Sequence, residues 1–292
     1  MPGGRPSSVP PTAASLRTPL RIMGVINVTP DSFSDGGKHL DPAAAVARGF
    51  ELEAEGADVL DVGAESTRPG SEGVSESEEL RRVLPVLDGL AGRTRAAISI
   101  DTAKSAVARA ALDRGATIVN DVSAGRADEG LLPLVAECGA TCVLMHMRGT
   151  PRTMQADPVY GDVVAEVQAF LRERAEAALA SGVARDRIWI DPGIGFGKTA
   201  VHNLELLARL DELLALGFPI CLGVSRKSFL SRVAEASGAS PAPPEDRLGG
   251  TAAAIALGVR NGASILRVHD VAVMSQAARV ARAIAERSVL RG

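Results

Sequence analysis

The chain has few aromatic residues: one Trp, one Tyr and six Phe among 292 residues. Since 46% of the residues are hydrophobic and only 3% are aromatic, the core must consist mainly of Ala, Val, Leu and Ile. Such a core suits parallel strands and packed helices better than an antiparallel sandwich. The net charge of −3 and the lack of a long basic run give no sign of a surface that follows a phosphate backbone. We therefore expect no nucleic-acid partner.

Long apolar runs and paired cysteines are also absent. No run approaches the roughly 20 apolar residues of a membrane helix, so we expect no association with a membrane. The three cysteines lack metal-ligand spacing, and Cys142 and Cys221 lie inside apolar runs, which is typical of buried thiols in a reducing compartment. The four histidines show no zinc spacing. The sequence therefore predicts a cytoplasmic protein.

From residue 20 onward the chain repeats one unit: a short apolar run, a polar or glycine-rich end, and an amphipathic stretch. The apolar runs, interpreted as strands, are residues 21–27, 58–62, 97–101, 117–121, 141–146, 187–191, 219–224 and 264–268. The helical stretches are residues 43–55, 76–90, 103–113, 128–138, 160–181, 202–215, 246–260 and 271–287, and Asp246 is a candidate N-cap.

About eight such units predict an α/β fold with parallel strands and right-handed connections, a single (β/α)8 TIM barrel over residues 20–292. An open doubly wound sheet is the alternative, because spacing alone does not prove closure. Residues 1–19 contain no apolar segment of the kind a signal peptide needs, and we expect a disordered tail there.

Polar side chains stand at the end of almost every predicted strand. Because the carboxyl ends of the strands in such a barrel meet at one mouth, these side chains should surround one ligand site. They are Asn27, Asp61 with Glu65, Asp101, Asn120 with Asp121, His146, Asp191, Ser225 with Arg226 and Lys227, and Arg267 with His269. A barrel with a purely structural role would need few of them.

The stretch IWIDPGIGFGKT, residues 188–199, is the most distinctive of these ends. A β-rich run stops at Asp191, and Pro192 and three alternating glycines follow, so the backbone can turn sharply and approach a ligand closely. Pro192 and Lys198 stand where the Walker and Rossmann phosphate motifs require glycine, which excludes both. An ordinary tight turn is the structural alternative.

Two carboxylates and an amide, from Asp101, Asn120 and Asp191, should lie around the mouth. This set suits a planar heterocycle with several N–H donors and one carbonyl, such as a 2-amino-4-oxopyrimidine ring. A glycosidase-type acid/base pair is an alternative, against which the glycine loop and clustered cations argue. Binding of a divalent metal by the same carboxylates is a second alternative.

An anion site is predicted at the last two strands. Residues 225–228 (SRKS), Arg267 and His269 supply cations and the start of a helix, and this corner of a barrel often binds phosphate. A solvated helix start is the structural alternative. The loop NVTPDSFSDGGK, which begins at Asn27, and a second loop with Thr67 and Arg68 have the composition of mobile loops that close over substrates.

The motifs in chain order are MGVINVTPDSFSDGG, DVGAESTRPG, ISIDTAKS, IVNDVSAG, LMHMRGTPRTMQ, IDPGIGFGKT, GVSRKSF, RLGGTAAA and RVHDV. Together they resemble the dihydropteroate synthase family of pterin-binding barrels, over nearly the whole chain from about Leu20. Ala64 departs from the second glycine that the family often has. The resemblance implies a cytoplasmic, homodimeric transferase of folate biosynthesis and a sulfonamide target. It would condense 6-hydroxymethyl-7,8-dihydropterin diphosphate with 4-aminobenzoate to give 7,8-dihydropteroate and diphosphate.

The resemblance also implies roles for particular residues. Those for the pterin are Asp101, Asn120, Met145, Asp191, Gly195, Lys227 and Arg267. Those for the diphosphate are Asn27 through Mg²⁺, Thr67, Arg68, Arg267 and His269. Those for 4-aminobenzoate are Phe33, Pro69, Phe196, Lys227 and Ser228, and the catalytic residues are Asp35, Arg68 and Lys227.

Two alternatives share the fold. A methyl-folate-binding methyltransferase would lack the Ser/Asp-rich first loop and the SRKS corner, and both are present. A catalytically silent pterin-binding paralogue would be expected to have lost Asn27, Arg68 or Arg267, and all three remain.

Overall fold

The fold was analysed in a computed structural model, which describes residues 18–29, 41–66, 71, 73–150 and 152–286. Eight parallel strands form a closed barrel in chain order. They are β1 (Arg21–Asn27), β2 (Val59–Gly63), β3 (Ala97–Asp101), β4 (Ala116–Asp121), β5 (Thr141–Met145), β6 (Ile188–Asp191), β7 (Ile220–Leu222) and β8 (Ala263–Val268). Because β8 pairs with β1, the predicted (β/α)8 barrel is confirmed and the open sheet is excluded. Residues 1–17 lie outside the described residues, so the disordered tail stays a prediction.

The helices surround the barrel. They are α1 (Pro42–Glu55), α2 (Glu76–Leu90), α3 (Ser105–Leu112), α4 (Leu131–Glu137), α5 (Val163–Ala180), α6 (Ala200–Ala208), α7 (Ser228–Ala236), α8 (Leu248–Arg260) and α9 (Val271–Glu286). Two helices, α7 and α8, lie between β7 and β8. None of the helices in the described part of the chain is long and apolar enough to cross a membrane.

Two local predictions were wrong. The helix expected over residues 202–215 is divided, because α6 ends at Ala208 and a 3-10 turn occupies Leu210–Leu216. Asp246 is not an N-cap: it lies inside a 3-10 turn, Pro244–Arg247, and α8 follows at Leu248 without a side-chain cap. Since a proline with its fixed φ occupies the first position of that turn, the chain is already helical when it reaches Asp246.

The interior of the barrel contains a separate apolar cluster. Its buried members are Met23, Val59, Ile118, Val143, Trp189, Cys221 and Ile265. Successive strand residues point to opposite faces, so the next inward positions toward the carboxyl ends are two residues further along each strand. On β2 and β6 these positions are Asp61 and Asp191. The cluster therefore fills the barrel below the mouth, and the polar side chains lie directly above it.

The loop between β6 and α6 packs its backbone against the segment that follows β5. Gly193 has a φ of +65°, and a Cβ atom there would lie 1.8 Å from the carbonyl oxygen of His146. Gly197 has a φ of +62°, and its Cβ would lie 2.6 Å from the carbonyl oxygen of Arg148. The sequence predicted close approach to a ligand. The structure shows that these two glycines are required first by the chain's own backbone.

Substitution of Gly193 by Ala should prevent this packing. Gly139→Ala is the matched control, because Gly139 has a φ of +61° and nothing within 4 Å of its Cβ position. In the control, the free energy of unfolding should fall only by the cost of a left-handed backbone at an Ala residue, about 1–2 kcal/mol. In Gly193→Ala it should fall by that amount and also by the loss of packing against the segment that follows β5, and we expect this variant not to fold. Urea denaturation followed by circular dichroism measures both, and equal losses would contradict the packing argument.

Candidate active site

Six of the predicted site residues lie at the carboxyl ends of strands, around one mouth. Asn27, Asp101, Met145 and Asp191 are the last residues of β1, β3, β5 and β6, and Asn120 and Arg267 are the next-to-last residues of β4 and β8. The parallel barrel brings them together from distant parts of the sequence. The barrel therefore gathers these predicted residues at one mouth, and their roles in binding stay predictions.

Arg267 lies at the centre of this mouth and pairs with two carboxylates. Its Nε donates to Asp61 Oδ2 at 2.6 Å, and its Nη2 donates to Asp101 Oδ2 at 2.7 Å. Its Nη1 makes no hydrogen bond with the described residues, so one edge of the guanidinium remains available to an anion. Asp61 was expected among the polar side chains at the mouth, but its pairing with Arg267 was not predicted. Its inward position on β2, two residues beyond Val59 of the interior cluster, was the signal that could have indicated a contact inside the barrel.

Of the two carboxylates expected to bind a ring, Asp191 is buried and Asp101 is partly buried, and the pKa of each is raised. Burial raises the pKa of Asp101 to about 7, against the opposing effect of the Arg267 cation. Burial also raises the pKa of Asp191, which the Lys227 cation opposes. Asp191 Oδ1 accepts a bond from the Gly193 amide at 2.7 Å, so the strand end and the glycine loop are joined there.

Lys227 lies between the Asp191 carboxylate and an aromatic side chain, Phe196. Its Nζ donates to the carbonyl oxygen of Ile194 and lies 4.6 Å from the centre of the Phe196 ring. A Cβ atom at Gly195 would lie 3.1 Å from Lys227 Cδ, so the lysine stem packs on the glycine loop. Burial lowers the pKa of Lys227 to about 8, although the nearby Asp191 carboxylate opposes this shift. Lys227, Gly195 and Phe196, all predicted site residues, are thus in contact.

A small apolar cluster forms one wall of this region. Met145, Met147 and Met154 are buried, and Val122 and Phe196 pack against them. The sequence predicted Met145 and missed Met147 and Met154. Their occurrence within one motif, LMHMRGTPRTM, was a signal for a flexible apolar wall.

Lys198 is a buried lysine to which the sequence pattern assigned no role. It is 3% exposed, and its Nζ lies 2.8 Å from His146 Nδ1 and donates to the carbonyl oxygens of Gly193 at 2.9 Å and Phe196 at 3.0 Å. Burial, with Lys198 nearby, lowers the pKa of His146 to about 2, so the imidazole is neutral. Burial also lowers the pKa of Lys198, which the Asp191 carboxylate opposes. Lys198 therefore fastens the glycine loop to the end of β5, and His146 is occupied there.

Other polar residues at strand ends support the scaffold. Glu65 pairs with Lys104 at 2.5 Å, and Lys104 also pairs with Glu79 at 2.6 Å. Asp121 accepts bonds from the amide and hydroxyl of Ser123 at 2.7 and 2.9 Å. These carboxylates are used within the protein and are not free for a ligand.

The predicted anion site at the last two strands has fewer unpaired cations than the sequence indicated. Arg226 has a φ of +60°, and its side chain pairs with Asp270 at 2.5 Å instead of adding a free cation. His269 Nδ1 lies 3.0 Å from Ser225 Oγ. Ser228 is exposed and is the first residue of α7, as predicted. Phe33, Asp35, Thr67, Arg68 and Pro69 lie outside the described residues, as do the two loops expected to be mobile, apart from their ends, and these expectations remain predictions.

Comparison with known proteins identifies the family. A model of the family described as pterin binding enzyme matches residues 23–269. The dihydropteroate synthase of Mycobacterium leprae (strain TN) is 49% identical over 264 residues, which are 90% of this chain and 92% of that protein. This chain belongs to the dihydropteroate synthase family.

Solved structures of dihydropteroate synthases agree with this assignment. The Xanthomonas albilineans dihydropteroate synthase with 4-aminobenzoic acid has 48% identity and a TM-score of 0.84, over 94% of this chain and 95% of that chain. The same organism's enzyme in complex with 7,8-dihydropteroate has 46% identity and a TM-score of 0.81, over the same shares. The family resemblance of the motifs is thereby confirmed.

Loss of the Lys198 amino group should loosen the glycine loop of this dihydropteroate synthase barrel. Lys198→Met removes the donor to the Phe196 carbonyl oxygen and the contact with His146, which should reduce the free energy of unfolding by about 1–3 kcal/mol. Arg232→Met is the control, because the exposed Arg232 makes no hydrogen bond or ion pair with the described residues, and a change below about 0.5 kcal/mol is expected. Urea denaturation gives both values, and hydrogen exchange should be faster at residues 193–199 in Lys198→Met alone. Unchanged exchange there would contradict the role as a fastener.

Proposed function

We propose that this chain is a dihydropteroate synthase in the full catalytic sense. It joins 6-hydroxymethyl-7,8-dihydropterin diphosphate to 4-aminobenzoate and releases diphosphate and 7,8-dihydropteroate. The observation that carries the proposal is the set of acceptors from Asp101, Asn120 and Asp191 around one mouth, with Lys227 and Phe196 beside it. The solved complexes of the Xanthomonas albilineans relative with 4-aminobenzoic acid and with 7,8-dihydropteroate support the same pair of ligands.

The pterin ring offers several N–H donors and one carbonyl. The carboxylates of Asp101 and Asp191 accept from such donors, and the Lys227 ammonium has donors left for the carbonyl after its bond to Ile194. Met145 provides an apolar surface for the face of the ring. The donors and acceptors of these side chains are therefore complementary to a pterin.

The aminobenzoate would lie on the outer side of Lys227. Phe196 contributes an aromatic face, and the α7 helix, which begins at Ser228, presents free backbone N–H groups to a carboxylate. Phe33 and Pro69, implied by the family, would complete this subsite. Lys227 then separates the two substrates while it contacts both.

The leaving diphosphate requires positive charge. Arg267 offers Nη1, His269 follows directly after the end of the same strand, and Thr67 and Arg68 are implied by the family. The Asn27 side chain, at the end of β1, makes no hydrogen bond with the described residues, and its amide oxygen is a suitable ligand for Mg²⁺. Bound Mg²⁺ would neutralise charge that develops on the diphosphate.

The reaction needs little acid or base chemistry from the protein. The bond between the pterin methylene carbon and the diphosphate oxygen breaks, and a bond forms from that carbon to the arylamine nitrogen, which then loses a proton. The arylamine is weakly basic and already carries a free electron pair. The side chains therefore act by holding both substrates in line and stabilising the departing charge, with Asp35 and Arg68 as the proposed partners in the first two loops.

The test is an assay of diphosphate release that requires both substrates. Asp191→Asn should weaken pterin binding by about 1–3 kcal/mol, because an NH₂ group can then face a ring donor. Asp186→Asn is the control, since Asp186 is exposed in the 3-10 turn that precedes the opposite end of β6. Wild-type protein that binds a pterin and releases no diphosphate would instead support the silent paralogue. Equal pterin affinity in calorimetry for Asp191→Asn and wild type would contradict the role of Asp191.

We also propose that the protein is a cytoplasmic homodimer. The outer faces of α6, α7 and α8 form an apolar groove of about 820 Å³, in which Leu204 and Leu257 remain 45% and 54% exposed. Large exposed apolar surfaces on a folded protein favour association. All three cysteines are free thiols, which supports a reducing compartment.

A charge in the groove should separate the subunits. Wild-type protein should sediment with twice the 30.1 kDa mass of the chain, and Leu257→Asp should sediment as a monomer. Ile284→Asp is the control, because Ile284 is 69% exposed on α9 outside the groove. Sedimentation velocity compares the three proteins at one concentration. A Leu257→Asp protein that remains dimeric would place the interface elsewhere.

A further inference from the structure

Asp61 is a fully buried carboxylate at the mouth to which neither the family resemblance nor the proposed reaction gives an individual role. It lies on β2 between Val59 and Gly63 and is 0% exposed. Val59 belongs to the interior apolar cluster, so Asp61 occupies the next inward position toward the mouth. A buried carboxylate is costly unless charged or polar donors surround it. The donors found at Asp61 are side chains of the ligand site.

One donor to Asp61 is the amide of Asn120. Asn120 Nδ2 donates to Asp61 Oδ2 at 3.0 Å, and both residues are buried. An ionised carboxylate only accepts hydrogen bonds, so the NH₂ side of the Asn120 amide must face Asp61. The Asn120 carbonyl oxygen therefore points away from Asp61. No other described residue holds the Asn120 side chain by a hydrogen bond.

The second donor is the guanidinium of Arg267. Its Nε bonds to the same oxygen, Asp61 Oδ2, and its Nη2 bonds to Asp101. Because the guanidinium is planar, two fixed nitrogens determine the plane of the group and the direction of the third, Nη1. Asp61 thus contacts two residues of the pterin and diphosphate sites from below, and Arg267 connects it to a third.

We propose that Asp61 is a positioning residue of the substrate site, which orients the Asn120 amide and the Arg267 guanidinium without touching the substrate. The inference rests on the proposed function. With Asp61 in place, the floor of the mouth presents acceptors from Asp101, Asn120 and Asp191, and Arg267 presents one free edge. Without it, the amide of Asn120 can rotate and the cation is held by Asp101 alone.

Ser99 provides a matched control inside the barrel. It is the Cα partner of Asp61 on β3, is also 0% exposed, and its hydroxyl makes no hydrogen bond. Ser99→Ala therefore changes a buried polar side chain at the same level of the barrel without removing a contact to the ligand site. Asp61→Asn keeps the shape of the side chain and removes its charge.

Calorimetry with 6-hydroxymethylpterin and steady-state kinetics test the proposal. In Asp61→Asn the pterin affinity should fall about 10- to 100-fold. The reason is that Asn120 and Arg267 each lose a hydrogen bond to a charged acceptor. The KM for the pterin diphosphate should rise in parallel, while the KM for 4-aminobenzoate stays within about twofold. Ser99→Ala should match wild type in all three. An Asp61→Asn protein with wild-type pterin affinity, in a preparation whose wild type is active, overturns this inference and leaves the proposed function intact.

The pH dependence of pterin binding separates positioning from general damage. The ionised form of Asp101 accepts from the ring, so affinity should be lost as the pH falls through its pKa of about 7. Burial and the carboxylates of Asp61, Glu79 and Asp121 raise that pKa, and Arg267 lowers it. Asp61→Asn removes one of the charges that raise the pKa of Asp101, so the pH below which pterin binding is lost should be lower than in the wild type. The proposal is overturned if affinity falls equally at every pH and binding is lost at the same pH as in the wild type.

A crystal structure of the wild-type protein with the same pterin covers the case in which Asp61→Asn does not fold. Asn120 Nδ2 and Arg267 Nε should both remain within hydrogen-bonding distance of Asp61 Oδ2 when the ring is bound. Departure of either group from Asp61 overturns the positioning role. A wild-type protein that binds no pterin at all overturns the proposed function instead.

Discussion

The site depends on one constraint: charged side chains buried above the apolar interior of the barrel must pair with one another. The interior cluster excludes polar groups below the mouth, so the ionisable side chains of the inward strand positions collect at one level. In that setting a carboxylate must be paired or become neutral. Arg267 pairs with Asp61 and Asp101, and the Lys227 cation opposes the rise in the pKa of Asp191. Apart from Asp61, the charges that balance one another at the mouth are those that a pterin diphosphate would contact in the proposed reaction.

The loop after β6 also depends on a buried polar side chain, that of Lys198. Its glycines permit contact with the backbone beyond β5, and the buried Lys198 side chain donates to the carbonyl oxygens of Gly193 and Phe196. Asp191, Gly195 and Phe196 all lie on this loop or at its start. Their positions therefore depend on a lysine that has no contact with substrate in the proposed reaction. Stability and recognition are coupled there through one side chain.

The barrel, the order of its strands and the level of the site could be predicted from the sequence, because the alternation of apolar runs and amphipathic stretches is strong and local. Side-chain pairing could not be predicted in the same way. Arg226 and Arg267 look alike in the sequence, yet one pairs with Asp270 outside the mouth and the other with carboxylates inside it. The partners of Asp61 were not predicted, because Asn120 and Arg267 lie on other strands, and Lys198 was not assigned because its contact with His146 depends on how the glycine loop packs. The limits of α6 and α8 were missed because 3-10 turns occupy the connections.

The pairing of Arg267 also relates the site to the order in which the chain is synthesised. Asp61 and Asp101 leave the ribosome early, and their common cation follows 206 and 166 residues later. Contacts of such long sequence separation form late in folding, since the intervening loop must first be closed. The two carboxylates therefore lack their common cation until β8 completes the barrel beside β1. Closure of the last strand and neutralisation of the mouth are one event, so a shortened chain without β8 would lack both the barrel and the charge balance of its ligand site.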